Sequence, residues 1–129
     1  MEPWLNKPER PLAWRTVPPE AMRLQESTMN LDELTRRLHR IRDQNDWKPF
    51  HSPKNLAMAA SVEMAELVEI FQWLREDQSR ELPADQLEHA GQEVGDIVLY
   101  LLLLCSELGL DMEEVVRNKL ADSERRFAP

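Results

Sequence analysis

Two short acidic pairs are the residues of this sequence best suited to chemistry: Glu63-Met64-Ala65-Glu66 and Glu93-Val94-Gly95-Asp96, separated by 26 residues. Acids at i and i+3 project from one face of a helix. Helical acids most often face water, and either pair alone would be read that way. Their neighbours argue otherwise. Asp96 leads into Ile97-Val98-Leu99-Tyr100-Leu101-Leu102-Leu103-Leu104, apolar all round and expected to be buried. Glu63 and Glu66 stand among Val62, Met64, Ala65, Leu67 and Val68. Burying carboxylates costs several kcal/mol each, and clustering them adds repulsion. A divalent cation supplies the opposite charge. Ligands that are all oxygen select Mg²⁺, with Mn²⁺ as a substitute, over Zn²⁺. Glu69 continues the first row and either backs these ligands or lies at the rim.

The pairs need helices to carry them, and the pattern supplies four. Asn30 caps the first, with Glu33 in capping-box position and Leu31, Leu34, Leu38 and Ile41 forming its apolar stripe. Asp46 to Pro53 reads as a loop because Pro49 and Pro53 interrupt any helix. A second helix is predicted from about Lys54 to Arg75, then a polar link from Glu76 to Leu82. Pro83 opens the third, which runs to Leu108 and stops at Gly109. Asp111 caps a fourth, reaching Arg126 with Glu114 in its first turn. No segment reads as a strand. The fold class is therefore all-α, a helical bundle over residues 30–129. Residues 1–29 hold five of the nine prolines and read as an extended or disordered arm, with Trp4 and Trp14 free to dock on the core or on another subunit.

Composition narrows the partners. The 129 residues fit one domain, small enough to gain from association with further copies. A net charge of −8 argues against duplex nucleic acid, whose phosphates need cations, and agrees with a hard metal. Cys105 is the single cysteine, which excludes an intramolecular disulfide and a Cys-rich zinc site; it reads as a small core residue. No apolar run approaches a membrane span and no leader pattern opens the chain, so a cytoplasmic location is expected.

Glu63-x-x-Glu66 followed by Glu93-x-x-Asp96 resembles the signature of the MazG-like all-α nucleotide pyrophosphohydrolases. The loop Asp46-Trp47-x-x-Phe50-His51-x-Pro53-Lys54-Asn55-Leu56 and the segment Phe71-Gln72-Trp73 look like the dCTP pyrophosphatase branch. The likeness covers residues 31–127. It implies a four-helix MazG-like bundle assembling into a dimer or a dimer-of-dimers tetramer. It also implies cleavage of a nucleoside triphosphate between the α and β phosphates, by Mg²⁺-activated water. Glu63, Glu66, Glu93 and Asp96 match the family's metal ligands, and Glu63 is the candidate base. Trp47, Lys48, Pro49, Phe50, His51, Trp73 and Tyr100 match positions that contact nucleotide. Read on their own, the two tryptophans either stack on a base or fill the core, and Tyr100 either orients the base or sugar or fills the core. Lys54, at the start of the second helix, suits the phosphates, and Lys119 and Arg126 match basic positions of the family, which implies a reach to the triphosphate. The match is incomplete. Leu38 stands where the mammalian branch has His, with His39 about 100° away around the helix. Val62 stands where many relatives have an acid, and Ser123 and Phe127 replace Asn and Tyr.

Within this chemistry the substrate is dCTP or a modified dCTP, or else several dNTPs in a house-cleaning role. Outside it, a non-catalytic helical interaction module would leave the acids in solvent and the Leu-rich helix at a partner surface. An antitoxin-like regulator is a third option, for which the retained acids give no preference.

Overall fold

A computed structural model describes residues 28–129, so the arm expected over residues 1–29 lies almost wholly outside the described residues. The elements are α1 (Leu31–Gln44), a 3₁₀ turn (Lys48–Phe50), α2 (Pro53–Phe71), the one-turn α3 (Glu76–Ser79), α4 (Ala84–Leu108) and α5 (Met112–Phe127). No strand occurs among the described residues, and the fold is all-α.

Side-chain caps set most of the helix starts. Asn30 Oδ1 accepts the Glu33 N–H at 3.0 Å, and Asp111 Oδ1 accepts the Glu114 N–H at 2.9 Å. Ser52 Oγ accepts the Asn55 N–H at 3.2 Å, with Pro53 in the first turn, where its missing N–H costs nothing. α1 and α4 end alike. At the end of α4, Gly109 has φ 69°, and the Leu110 N–H returns to the Cys105 carbonyl at 2.8 Å. At the end of α1 the left-handed residue is Asp46, φ 55°, and the Trp47 N–H returns to the Arg42 carbonyl at 2.9 Å.

Two expectations about the elements change. The second helix ends at Phe71 rather than near Arg75, and the polar link contains α3. The cause is local. The Arg75 N–H binds Gln78 Oε1 at 2.9 Å, and Glu76 and Asp77 favour a fresh helix N-terminus.

α2 and α4 form the principal helix pair, and α1 packs on α4 beside it. Leu56, Ala59 and Ala60 of α2 meet a core to which α4 gives Ala90, Leu102 and Leu103. The alanines let the two backbones approach closely. The apolar run after Asp96 is less buried than its composition implies: only Leu102 and Leu103 are buried, Leu101 is exposed and Cys105 is half-buried. One bundle this small cannot cover every side of so apolar a helix.

Candidate metal centre

The distribution of charge within the α2–α4 pair is inverted. Glu63 is 3% exposed and Glu93 1%, while the adjoining Val62, Met64 and Val94 are exposed. The sequence suggests acids hidden among buried apolar neighbours; instead the acids are inside and the neighbours outside. Glu63 and Glu66 lie one turn apart on α2, and α4 brings Glu93 against them. These three offer carboxylate oxygens all within 4.8 Å of one another. Opposite oxygens around an octahedral Mg²⁺ with bonds of about 2.1 Å lie about 4.2 Å apart. The cluster therefore has the scale of a single-cation site, and its all-oxygen donors suit Mg²⁺ or Mn²⁺. Asp96, half-buried, follows Glu93 by three residues on α4 but is not within this tightest group.

His89, one turn before Glu93, is a neighbour that sequence reasoning missed. Its Nε2 lies 3.3 Å from Glu93 Oε1. The signal was the i,i+4 spacing to an acid that is itself a ligand candidate.

The remaining residues singled out from the sequence are distributed unevenly. Trp47 is half-buried at the entry to the 3₁₀ turn, and Lys48, Pro49, Phe50 and Lys54 are exposed around it. His51 is 5% exposed, with its ring 6.3 Å from that of Trp47 and tilted by 40°. Its Nδ1 is buried and has no hydrogen-bond partner among the described residues. Burial pushes its pKa down, with the charge of Arg42 adding to the effect. His51 thus packs its ring inside, beside Trp47, at a position that the resemblance matches to nucleotide contact.

Trp73 is 86% exposed. Because α2 stops at Phe71, Trp73 does not extend the row of acids along that helix. Tyr100 is half-buried on α4, one turn beyond Asp96. Lys119 is exposed on α5 and pairs with Asp122 at 3.6 Å. Arg126 reaches the same Asp122 at 4.0 Å and lies over the Phe127 ring.

A broad cleft of about 800 Å³ lies elsewhere, between the N-termini of α1 and α5 and the end of α4. Its lining among the described residues includes Asp32, Asp111 and Glu113.

The description of the MazG-like family matches residues 58–128, a stretch that includes all four acids of the two pairs. The chain belongs to the MazG-like family. Within that family it is similar to dCTP pyrophosphatase 1 of Bos taurus, 34% identical over 95 residues, and to that of Homo sapiens, 33% identical. Those alignments cover 71% of this chain and 56% of each relative, so the chain spans little more than half their length. A pyrophosphatase from Archaeoglobus fulgidus of solved structure superposes with a TM-score of 0.73 at 36% identity. That match covers 79% of this chain and 95% of the other. The MazG-like fold is thus common to both.

Proposed function

We propose that this MazG-like chain is a nucleoside triphosphate pyrophosphohydrolase that uses Mg²⁺, with dCTP or a modified dCTP as substrate. The observation carrying the reading is the convergence of Glu63, Glu66 and Glu93 within 4.8 Å, two of them removed from water. These residues and Asp96 would hold the cation against the triphosphate. When bound, such a cation neutralises phosphate charge and lowers the pKa of water, the two requirements for hydrolysis at phosphorus.

The protein's own groups do the rest. Glu63 accepts the proton of the attacking water as its oxygen bonds to the α-phosphorus. The bond from that phosphorus to the bridging oxygen breaks, and pyrophosphate leaves with the electron pair. Lys48, Lys54 and Lys119 offer charge to the phosphates. Trp47, Phe50 and Trp73 offer faces to the base, and Tyr100 offers a hydroxyl to the base or sugar. Pro49 and His51 shape the loop around Trp47. The names of the relatives support the dCTP assignment.

We also assign a homo-oligomer, dimer or tetramer. Leu87, Val94, Leu101 and Leu108 recur every seven residues along α4 and are all exposed. A second copy is the natural cover for such a seam.

A panel of triphosphates, including dCTP and 5-substituted dCTP, assayed for pyrophosphate in Mg²⁺ tests the reading. Glu63→Ala and Asp96→Ala should abolish turnover at unchanged helicity. Retained activity removes the ligand assignment, and equal rates on purines and pyrimidines remove the dCTP assignment.

A further inference from the structure

The end of α1 carries a buried cation that the metal centre does not use. Arg42 is 8% exposed although it sits in the polar stretch Arg40-Ile41-Arg42-Asp43-Gln44-Asn45-Asp46. Its guanidinium forks onto Asp43, with Nε 2.8 Å from Oδ1 and Nη2 3.3 Å from Oδ2. Nη1 reaches Glu107 of α4 at 3.7 Å. One turn earlier on α1, His39 Nε2 lies 2.9 Å from Ser106 Oγ, the residue beside Glu107. Two adjacent polar ties therefore bind the last turns of α1 to the end of α4.

The same residue governs the loop. The Arg42 carbonyl receives the Trp47 N–H at 2.9 Å, across the left-handed Asp46. From Trp47 the chain makes its 3₁₀ turn, the Phe50 N–H bonding the Trp47 carbonyl at 2.8 Å. The far end is pinned to α2, where Asn55 Nδ2 donates to the Phe50 carbonyl at 2.8 Å. The near end thus hangs on the last turn of α1, which the Arg42 guanidinium ties to α4. His51, buried under Trp47, is close enough to Arg42 and Glu107 to feel both charges.

We propose that Arg42, held between Asp43 and Glu107, is a positioning residue that keeps the loop Trp47–His51 in its nucleotide-binding shape. This rests on the reading of that loop as a base-binding element. The ion pair of Arg42 with Glu107 holds the last turn of α1, and with it the carbonyl that receives the Trp47 N–H, against α4, which also carries Glu93. Removing the guanidinium frees the loop at one end while leaving the acid cluster untouched.

The test compares the full chain with Arg42→Met, Arg42→Lys and the double variant Arg42→Met/Glu107→Leu. The double variant removes both charges, so that a loss of stability cannot stand in for a loss of position. Hydrogen exchange reports on the loop without reference to activity. Faster exchange of peptides covering residues 45–52, with α2 and α4 unchanged, is expected in both Met variants. With Mg²⁺ and the triphosphate hydrolysed best, KM should rise about tenfold while kcat changes less than about twofold, and Arg42→Lys should recover part of the loss. Unchanged loop exchange in Arg42→Met overturns the clamp. Faster exchange with unchanged KM overturns its role in nucleotide binding. Absence of turnover by the unaltered protein on any triphosphate removes the proposed function instead, and the exchange experiment still decides the clamp.

Discussion

Glu63 of α2 and Glu93 of α4 are almost completely withdrawn from water, while Val62 and Val94, their immediate neighbours in sequence, are exposed. Burying acids in preference to valines opposes the usual ordering by hydrophobicity. The proposed cation between the helices would account for the acids, and the proposed second copy of the chain would account for the valines.

The metal account makes a stability prediction. Mg²⁺ or Mn²⁺ should raise the melting temperature, with stabilisation of about 2.7 kcal/mol at one hundred times Kd. Glu93→Gln relieves repulsion among the acids, so without cation it should be at least as stable as the unaltered protein. It should also lose the response to cation. Differential scanning fluorimetry checks both, and an undiminished Mg²⁺ response in Glu93→Gln would contradict the assignment.

Assembly predicts a change of mass. Val94→Lys or Leu101→Glu places a charge in the exposed seam of α4 and should convert a dimer or tetramer to smaller species. Light scattering after size exclusion measures this directly. A monomer before substitution, or an unchanged oligomer after it, would exclude the seam.

Stability should also fall in mild acid. Burial pushes the pKa values of His39 and His51 below the ordinary 6.5, helped by Arg42 and also by Lys48 at His39, and by Arg42 and His39 at His51. Asp43 and Glu107 oppose this at His39, and Glu107 opposes it at His51, without reversing either shift. Well above pH 6.5 both states of the protein hold neutral imidazoles. Below it the unfolded chain takes up protons that the folded chain resists, so stability declines until the lowered folded values are passed. Melting temperatures between pH 8 and pH 5 should follow this course, and His39→Gln or His51→Gln should flatten it. An unchanged slope in both variants would rule the two histidines out as its source.

The end of α1 offers a gain. Asp46 occupies at φ 55° the left-handed position that Gly109 occupies at the end of α4. Asp46→Gly should stabilise the chain by about 0.5 kcal/mol, after the added freedom of the unfolded state is counted. The urea midpoint should rise at unchanged slope, and a fall would show that the Asp46 side chain matters more than its backbone.

Much of this was legible in the residues because local chemistry decided it. Asn30, Pro83, Gly109 and Asp111 mark helix ends through interactions within a few residues, and the structure places the ends beside them. The acid pairs stood out through i,i+3 spacing beside apolar runs. Less legible was whatever depended on distant partners. Arg42 reads as one more charge in a polar segment, and only its approach to Glu107, across the bundle, explains its burial. The composition around His51 could not show that its ring turns inward beneath Trp47. The stop at Phe71 was missed because the Arg75–Gln78 bond competes with a helix whose apolar pattern continues to Leu74.

Isotope placement distinguishes hydrolysis at the α-phosphorus from cleavage elsewhere in the triphosphate. The protein is incubated with dCTP and Mg²⁺ in ¹⁸O-labelled water, and the products are read by mass spectrometry. Attack at the α-phosphorus should give dCMP carrying one labelled oxygen together with unlabelled pyrophosphate. Label in pyrophosphate, or dCDP with inorganic phosphate, would contradict it.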